Sequence, residues 1–306
     1  MSNWIKFSSI LMLTLVSLTA QNTSAAVIAL DDFAKNPGEL SASLFQPEKP
    51  SQSLVVLLHG CAQNALVLAE QTGLLEAAKI KGFYLLMPQQ SKTNNVQLCF
   101  NWFSKTDQAG EQGEAASIMA MIESVTQEYN IANTYLAGLS AGGAMASGLA
   151  AENPDKFHSL AIIAGVAYPC ADDLVKAISC MKNGMGEPVS KSAKKLLASH
   201  TEKTVWPNLT VITGAKDTIV NPKNSEHLAE QWRLIIAATE TATEQLDGAK
   251  IQTHSNSKQS VQLIEVEGMG HGWPVNPEQT FGGSTALFLP TTVISATNYL
   301  VNLWAL

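Results

Sequence analysis

Five stretches of strand length, at residues 54–58, 83–87, 135–138, 160–164 and 209–213, are almost wholly apolar and alternate with segments of helical period. Strands that are apolar on both sides must be covered on both sides, which predicts an α/β fold with a mostly parallel sheet between two layers of helix. The helical segments fall at 66–79, 113–129, 142–151 and 225–238, with a further strand at 262–266 and a last helix near 292–303. Within 113–129, Ile118, Met121, Ile122 and Val125 recur at steps of three and four, the spacing of one helix face. Two segments interrupt the alternation: 89–112, polar and long, and 168–207, which contains a predicted helix at 191–199. Insertions of this length in a folded domain commonly form rims and lids.

The first 26 residues read as a secretory signal peptide, with Lys6 as the positive end, an apolar stretch at 10–18, and Thr23-Ser-Ala25-Ala26 as a small-residue cleavage site. Cleavage is expected after Ala25 or Ala26; no cysteine stands directly after either position, so no lipid anchor is expected. The roughly 280 residues that remain (27–306) suffice for one large α/β domain. No linker, repeat or second domain is visible in them. The expected location is outside the cytoplasm, extracellular or periplasmic. Charged residues make up 15% of the chain, the formal net charge is −7, and no Lys/Arg cluster occurs. That balance argues against a nucleic-acid partner and favours a neutral or weakly polar ligand.

Four cysteines follow the leader: Cys61, Cys99, Cys170 and Cys180. An even count in an exported chain implies two disulfides, with three possible connectivities. The short separation of Cys170 from Cys180 favours local closure, leaving Cys61 for Cys99. No C-x-x-C pair is present, so no metal site is expected.

The run Tyr135-Leu-Ala-Gly138-Leu-Ser140-Ala-Gly142-Gly143-Ala-Met passes from an apolar strand through small residues into a helix. This is the layout of a nucleophile elbow, G-x-S-x-G, in which a serine stands on a sharp strand-to-helix turn. The motif alone is common by chance; its place between strand and helix gives it weight. A serine hydroxyl needs a base, and the base needs an orienting carboxylate. In this layout the order is serine, acid, histidine, with the partners on loops after later strands. Of the six histidines, His158, His200, His227 and His254 lie in polar or helical surroundings, and His59 precedes the serine. His271, in Gly268-Met-Gly270-His271-Gly272-Trp273-Pro274, lies just past a strand on a glycine-rich loop. Asp217 follows strand 209–213 directly; Asp247 and Glu267 are weaker alternatives. Oxyanion donors are expected from the backbone N–H of Ala141 and, in Leu57-Leu-His59-Gly60-Cys61-Ala-Gln-Asn64, from the N–H of Cys61. His59 is expected at the substrate side of the site, hydrogen-bonding locally rather than doing chemistry. Trp102, in a polar loop, and Trp273, beside the base loop, are expected to contact substrate.

Leu57-Leu-His-Gly-Cys-Ala-Gln-Asn64, Cys99-Phe-Asn-Trp102, Gly138-Leu-Ser-Ala-Gly-Gly143 and Gly268-Met-Gly-His-Gly-Trp-Pro274 together resemble the polyhydroxybutyrate depolymerase family of α/β-hydrolases. Its sequence neighbours include feruloyl and acetyl-xylan esterases. The resemblance spans roughly residues 40 to 280 and implies a secreted serine esterase that cleaves poly(3-hydroxybutyrate)-type polyesters or their oligomers through an acyl-enzyme. It implies Ser140 as nucleophile, Asp217 as acid, His271 as base, an oxyanion donor at Cys61 and an aromatic rim from Trp102. No cofactor is implied, and a monomer is expected. Two departures stand out: Phe100 occupies a position that is often Trp in the family, and no appended linker and polymer-binding domain is visible. A feruloyl or acetyl-xylan carboxylesterase is the second reading, and a hydrolase fold reduced to a binding module a remote third.

Overall fold

The computed structural model describes residues 1, 24–31, 33–108 and 111–306. The signal-peptide stretch, apart from its two ends, lies outside the described residues. The strands are β1 (Ala26–Ala29), β2 (Ser41–Gln46), β3 (Ser53–Leu58), β4 (Tyr84–Gln89), β5 (Asn133–Leu139), β6 (Ser159–Ile163), β7 (Asn208–Gly214), β8 (Glu240–Leu246), β9 (Ala249–Ser255) and β10 (Ser260–Val266). They form one sheet in the order β1-β2-β4-β3-β5-β6-β7-β10-β9-β8. The six central strands from β4 to β10 run parallel, and the antiparallel pairs lie at the two edges.

The helices are α1 (Ala65–Gln71), α2 (Leu74–Lys81), α3 (Gly113–Glu128), α4 (Ala141–Glu152), α5 (Leu174–Asn183), α6 (Val189–Ser199), α7 (Lys223–Ile235) and α8 (Ala296–Leu303). Because successive residues of a strand face opposite sides, each central strand feeds two cores. In β3, Leu54, Val56 and Leu58 join the cluster under α3, α4, α6 and α7, while Val55 and Leu57 join the cluster under α1, α2 and α8. Each of these fully buried aliphatic side chains contributes roughly 1.5–3 kcal/mol of hydrophobic free energy. This is an α/β-hydrolase fold: the apolar runs imply its parallel sheet between two layers of helix, and the family resemblance implies the rest.

The differences from the sequence reading have local causes. The helix expected at 66–79 is two helices, α1 and α2, broken at Gly73. That residue has φ +80°, and a Cβ there would stand 2.5 Å from the Phe281 carbonyl oxygen. The last helix begins at Ala296 rather than near 292, because the Ser295 side chain accepts from the Asn298 N–H and caps it. α5 went unseen in the 168–207 insertion; Asp173 caps its start by accepting from the Lys176 N–H. β8 is exposed along its length, so it carries no apolar alternation to read.

Candidate active site

Ser140 joins β5 to α4 with φ 56° and ψ −118°, outside the usual regions for an L-residue. Its amide donates to Ile163 O at the end of β6 (2.9 Å), and its carbonyl accepts from Ala144 N (2.9 Å) inside α4. The turn is possible only where the backbones touch. A Cβ on Gly138 would lie 2.4 Å from Gly142 O, and one on Gly142 would lie 2.3 Å from Leu58 O. The glycines that frame the serine are therefore required by contact, and the elbow expected from the sequence is the one observed.

Asp217 and His271 meet because β7 and β10 are parallel neighbours. The loops that leave their ends are tied together: Lys216 N donates to Met269 O (2.8 Å), and Ala215 N to Val266 O (3.0 Å). His271 Nδ1 lies 2.7 Å from Asp217 Oδ2. The other carboxylate oxygen, Oδ1, accepts from Ile219 N (2.8 Å) and Val220 N (2.9 Å), so the acid is fixed in place from both sides. With the carboxylate on Nδ1, the imidazole carries its proton there and leaves Nε2 free to accept one. The Phe288 ring packs edge-on to His271 at 5.8 Å. The Asp217 side chain has no solvent exposure, and that of His271 is 7% exposed. No hydrogen bond joins Ser140 Oγ to the imidazole in this ligand-free structure; such bonds commonly tighten only when substrate is present.

The Gly60–Cys61 loop lies against the elbow. A Cβ at Gly60 would stand 3.4 Å from Ser140 Cβ. Of three consecutive amides here, Gly60 N donates to Gln63 Oε1 (2.7 Å) and Ala62 N to Gln97 O (2.7 Å), whereas Cys61 N–H has no hydrogen-bond acceptor among the described residues. Ala141 N–H, at the first turn of α4, likewise has none among the described residues. Cys61 is bridged to Cys99, and Cys170 to Cys180, the pairing expected from the sequence.

A cavity of about 130 Å³ opens beside Ser140, walled by Cys61, Trp102 and Ala141 among others, and its lining is almost wholly apolar. Leu174, Ala177 and Met181 of α5 form one side of it, and Val220, from the loop that holds Asp217, another. Trp102 thus lines the cavity beside Ser140, but it is only 8% exposed and packs on Phe103, so it belongs to the core as well as to the wall.

Two of the expected substrate contacts are overturned. Trp273 has no solvent exposure and lies in the core cluster under α1, α2 and α8. Its amide donates to Phe288 O (2.9 Å), which turns the ring inward as the chain leaves the His271 loop. Trp273→Ala is therefore expected to cost about 3–5 kcal/mol of stability, read as a lowered denaturation midpoint, with KM unchanged in the folded fraction. A changed KM at unchanged stability would restore the substrate role. His59 is likewise fully buried. Its Nε2 accepts from Gln90 N (3.1 Å) and its Nδ1 lies 2.7 Å from Gly60 O. A backbone amide can only donate and a carbonyl can only accept, so the tautomer is fixed with the proton on Nδ1. Burial pushes the imidazole pKa down to about 4, keeping the ring neutral. His59 thus braces the Gly60 loop and touches no substrate. Phe100, buried against His59 with ring centres 4.8 Å apart, is part of that brace rather than of the rim.

The sequence reading missed α5 as a cavity wall and Glu114 as a buried acid. Glu114 looks like an ordinary first-turn glutamate of a helix; only the fold puts it under the 89–108 segment.

The family model described as Esterase PHB depolymerase matches residues 41–250. A poly(3-hydroxyalkanoate) depolymerase C of Paucimonas lemoignei is 32% identical over 88% of this chain and 67% of its own length. The chain belongs to the esterase PHB depolymerase family. A feruloyl esterase B of Thermothelomyces thermophilus is 25% identical over 86% of the chain and 94% of its own length. Among solved structures, an acetyl xylan esterase from Aspergillus awamori superposes with a TM-score of 0.71 at 19% identity, covering 80% of this chain and 94% of that one. That likeness carries the fold; the family carries the chemistry. The protein is a carboxylic ester hydrolase, a serine esterase. The family match ends before His271.

Proposed function

We propose that this esterase cleaves poly(3-hydroxyalkanoate)-type polyesters or their oligomers outside the cytoplasm, with Ser140, His271 and Asp217 as its catalytic unit. Ser140 Oγ attacks the ester carbonyl while His271 Nε2 takes its proton, and Asp217 steadies the imidazolium that forms. The oxyanion of the tetrahedral intermediate is held by the uncommitted amides of Cys61 and Ala141. His271 returns the proton to the departing hydroxyl, leaving the hydroxyacyl group on Ser140. Water, activated by the same base, then releases it. The export reading rests on the leader-like first 26 residues and on the two disulfides, which persist in oxidising compartments.

One observation favours a polyester over a sugar-borne ester: the apolar cavity continues out onto an apolar surface. Leu174 lines the cavity and is 57% exposed, and beyond it on the same helix Val175 is 78% and Ile178 50% exposed. A weakly polar chain of methyl-bearing repeats can lie along such a shelf; a hydrated polysaccharide gains little from it. Replacing both Val175 and Ile178 by Ser is expected to lower hydrolysis of amorphous poly(3-hydroxybutyrate) about tenfold, the loss of roughly 1.4 kcal/mol of binding. Turnover of a soluble p-nitrophenyl butyrate should not change. Equal loss on both substrates would show that α5 is merely destabilised.

The reading as a whole is tested by comparing three substrates: amorphous poly(3-hydroxybutyrate), feruloylated oligosaccharide and acetylated xylan. Release of 3-hydroxybutyrate at the highest kcat/KM supports it. Ferulate or acetate release, with the polymer untouched, replaces it with the carbohydrate-esterase reading that the fungal relatives' names raise.

A further inference from the structure

Beneath the 89–108 segment lies an acid that the catalytic scheme does not use. Glu114, in the first turn of α3, is 1% exposed and has no cationic partner among the described residues. Its Oε1 accepts from Gln90 Nε2 (2.5 Å) and from Asn101 Nδ2 (2.7 Å), and its Oε2 from Asn101 N (2.7 Å). A carboxylate inside a protein stays only where donors surround it. Here all of them come from the two ends of one stretch of that segment, residues 90–101.

Both ends lead to the active site. At one end, Gln90 Nε2 also donates to Cys99 O (3.0 Å), and Gln90 N donates to His59 Nε2 (3.1 Å). The neutral His59 ring then holds Gly60 O through Nδ1 (2.7 Å). Gly60 adjoins Cys61, whose amide is the oxyanion donor proposed above and whose sulfur is bridged to Cys99. At the other end, the Asn101 amide held by Glu114 belongs to the residue before Trp102, a wall of the cavity beside Ser140.

We propose that Glu114 is a positioning residue of the esterase: one buried carboxylate sets both the oxyanion amide of Cys61, through Gln90 and His59, and the acyl wall of Trp102, through Asn101. The inference rests on the assignment of Ser140 and the Cys61 amide to the reaction. It also accounts for the histidine of the His59-Gly60 pair, which serves as the link that passes order from the carboxylate to the oxyanion loop.

Protonation should loosen the clamp, because a carboxylic acid must place its proton on an oxygen that already serves donors. Burial raises the Glu114 pKa to about 7, against the pull of its three donors. Its titratable neighbours are Asp107, whose Oδ1 accepts the Glu114 N–H (3.2 Å), and, through Gln90, the neutral imidazole of His59.

The two arms predict different kinetics. Displacing an oxyanion donor weakens binding of the transition state alone, whereas shifting the acyl wall weakens ground-state binding too. Glu114→Gln, nearly the same volume, is expected to lower kcat on p-nitrophenyl butyrate about tenfold or more at pH 8, since full removal of one oxyanion donor costs about 10²–10³. Gln90→Leu should reproduce the fall in kcat with KM within about threefold, and Asn101→Ala should chiefly raise KM. The acid side of the wild-type kcat/KM profile should carry one proton more than that of Glu114→Gln, the proton taken up by Glu114. Near-UV circular dichroism checks that each variant is folded; if Glu114→Gln is not, Gln90→Leu carries the test by itself. A kcat within twofold of wild type in the folded variant, or an acid limb the substitution leaves unchanged, overturns the proposal. Ser140→Ala is assayed alongside: if it stays active, the site assignment itself has failed, whereas an inactive Ser140→Ala beside an unimpaired Glu114→Gln overturns this inference only.

Discussion

Ser140→Ala is expected to reduce ester turnover by about four to six orders of magnitude while the melting temperature stays near that of the wild type. The magnitude follows from the loss of the covalent route: without a nucleophile, only the oxyanion amides and binding remain, and they sustain about 10³–10⁴ over the uncatalysed rate. Stability should hold because the substitution keeps the backbone contacts that fix the elbow, Ser140 N to Ile163 O and Ala144 N to Ser140 O. It also leaves no buried polar group unpaired, since Ser140 is partly exposed and its Oγ makes no hydrogen bond among the described residues. A kcat/KM measurement on p-nitrophenyl butyrate, with a thermal melt on the same sample, checks both halves. Retention of more than about a tenth of activity would remove Ser140 from the mechanism.

His271→Ala should cost nearly as much, and the double variant with Ser140→Ala should lose little more than either alone. Residues that act in one proton transfer are grossly non-additive, because removing either abolishes the same step. Asp217→Ala should cost somewhat less. The imidazole remains, but it loses the 2.7 Å contact that holds its tautomer and offsets its developing charge. Asp217 has a second, structural duty in accepting from Ile219 N and Val220 N, so Asp217→Asn is the cleaner variant. If the Ser140 and His271 losses simply multiply in the double variant, the two residues do not share a step, and the catalytic unit must be redrawn.

The parallel core of the sheet was legible because β3 to β7 are buried on both faces and therefore read as unbroken apolar runs. The same logic fails at the edges: β8 faces solvent, and β1 is four residues long and mostly exposed. The Ser140 elbow was legible because its glycines are required by backbone contact, and such contacts leave a spacing in the sequence. The Asp217 and His271 loops were legible because parallel neighbours end on the same edge of the sheet. What a one-dimensional reading could not give is the direction in which a loop residue turns. Trp273 and Trp102 both sit next to site motifs, yet one ring folds into the opposite layer and the other into the cavity wall. His59 and Glu114 were opaque for a related reason: their roles consist of hydrogen bonds to Gln90 and Asn101, residues with no pattern of their own.

The proposed reaction turns on an acyl-enzyme formed at Ser140 from an aliphatic hydroxyacyl ester. Rapid acid quench of the protein during turnover of a 3-hydroxybutyrate oligomer, followed by proteolysis and mass spectrometry, reads that intermediate. A single hydroxybutyryl adduct is expected, on the peptide containing Ser140 and absent from Ser140→Ala. Product release with the adduct on another residue, or with no adduct on a protein that a fluorophosphonate still labels at Ser140, would contradict it.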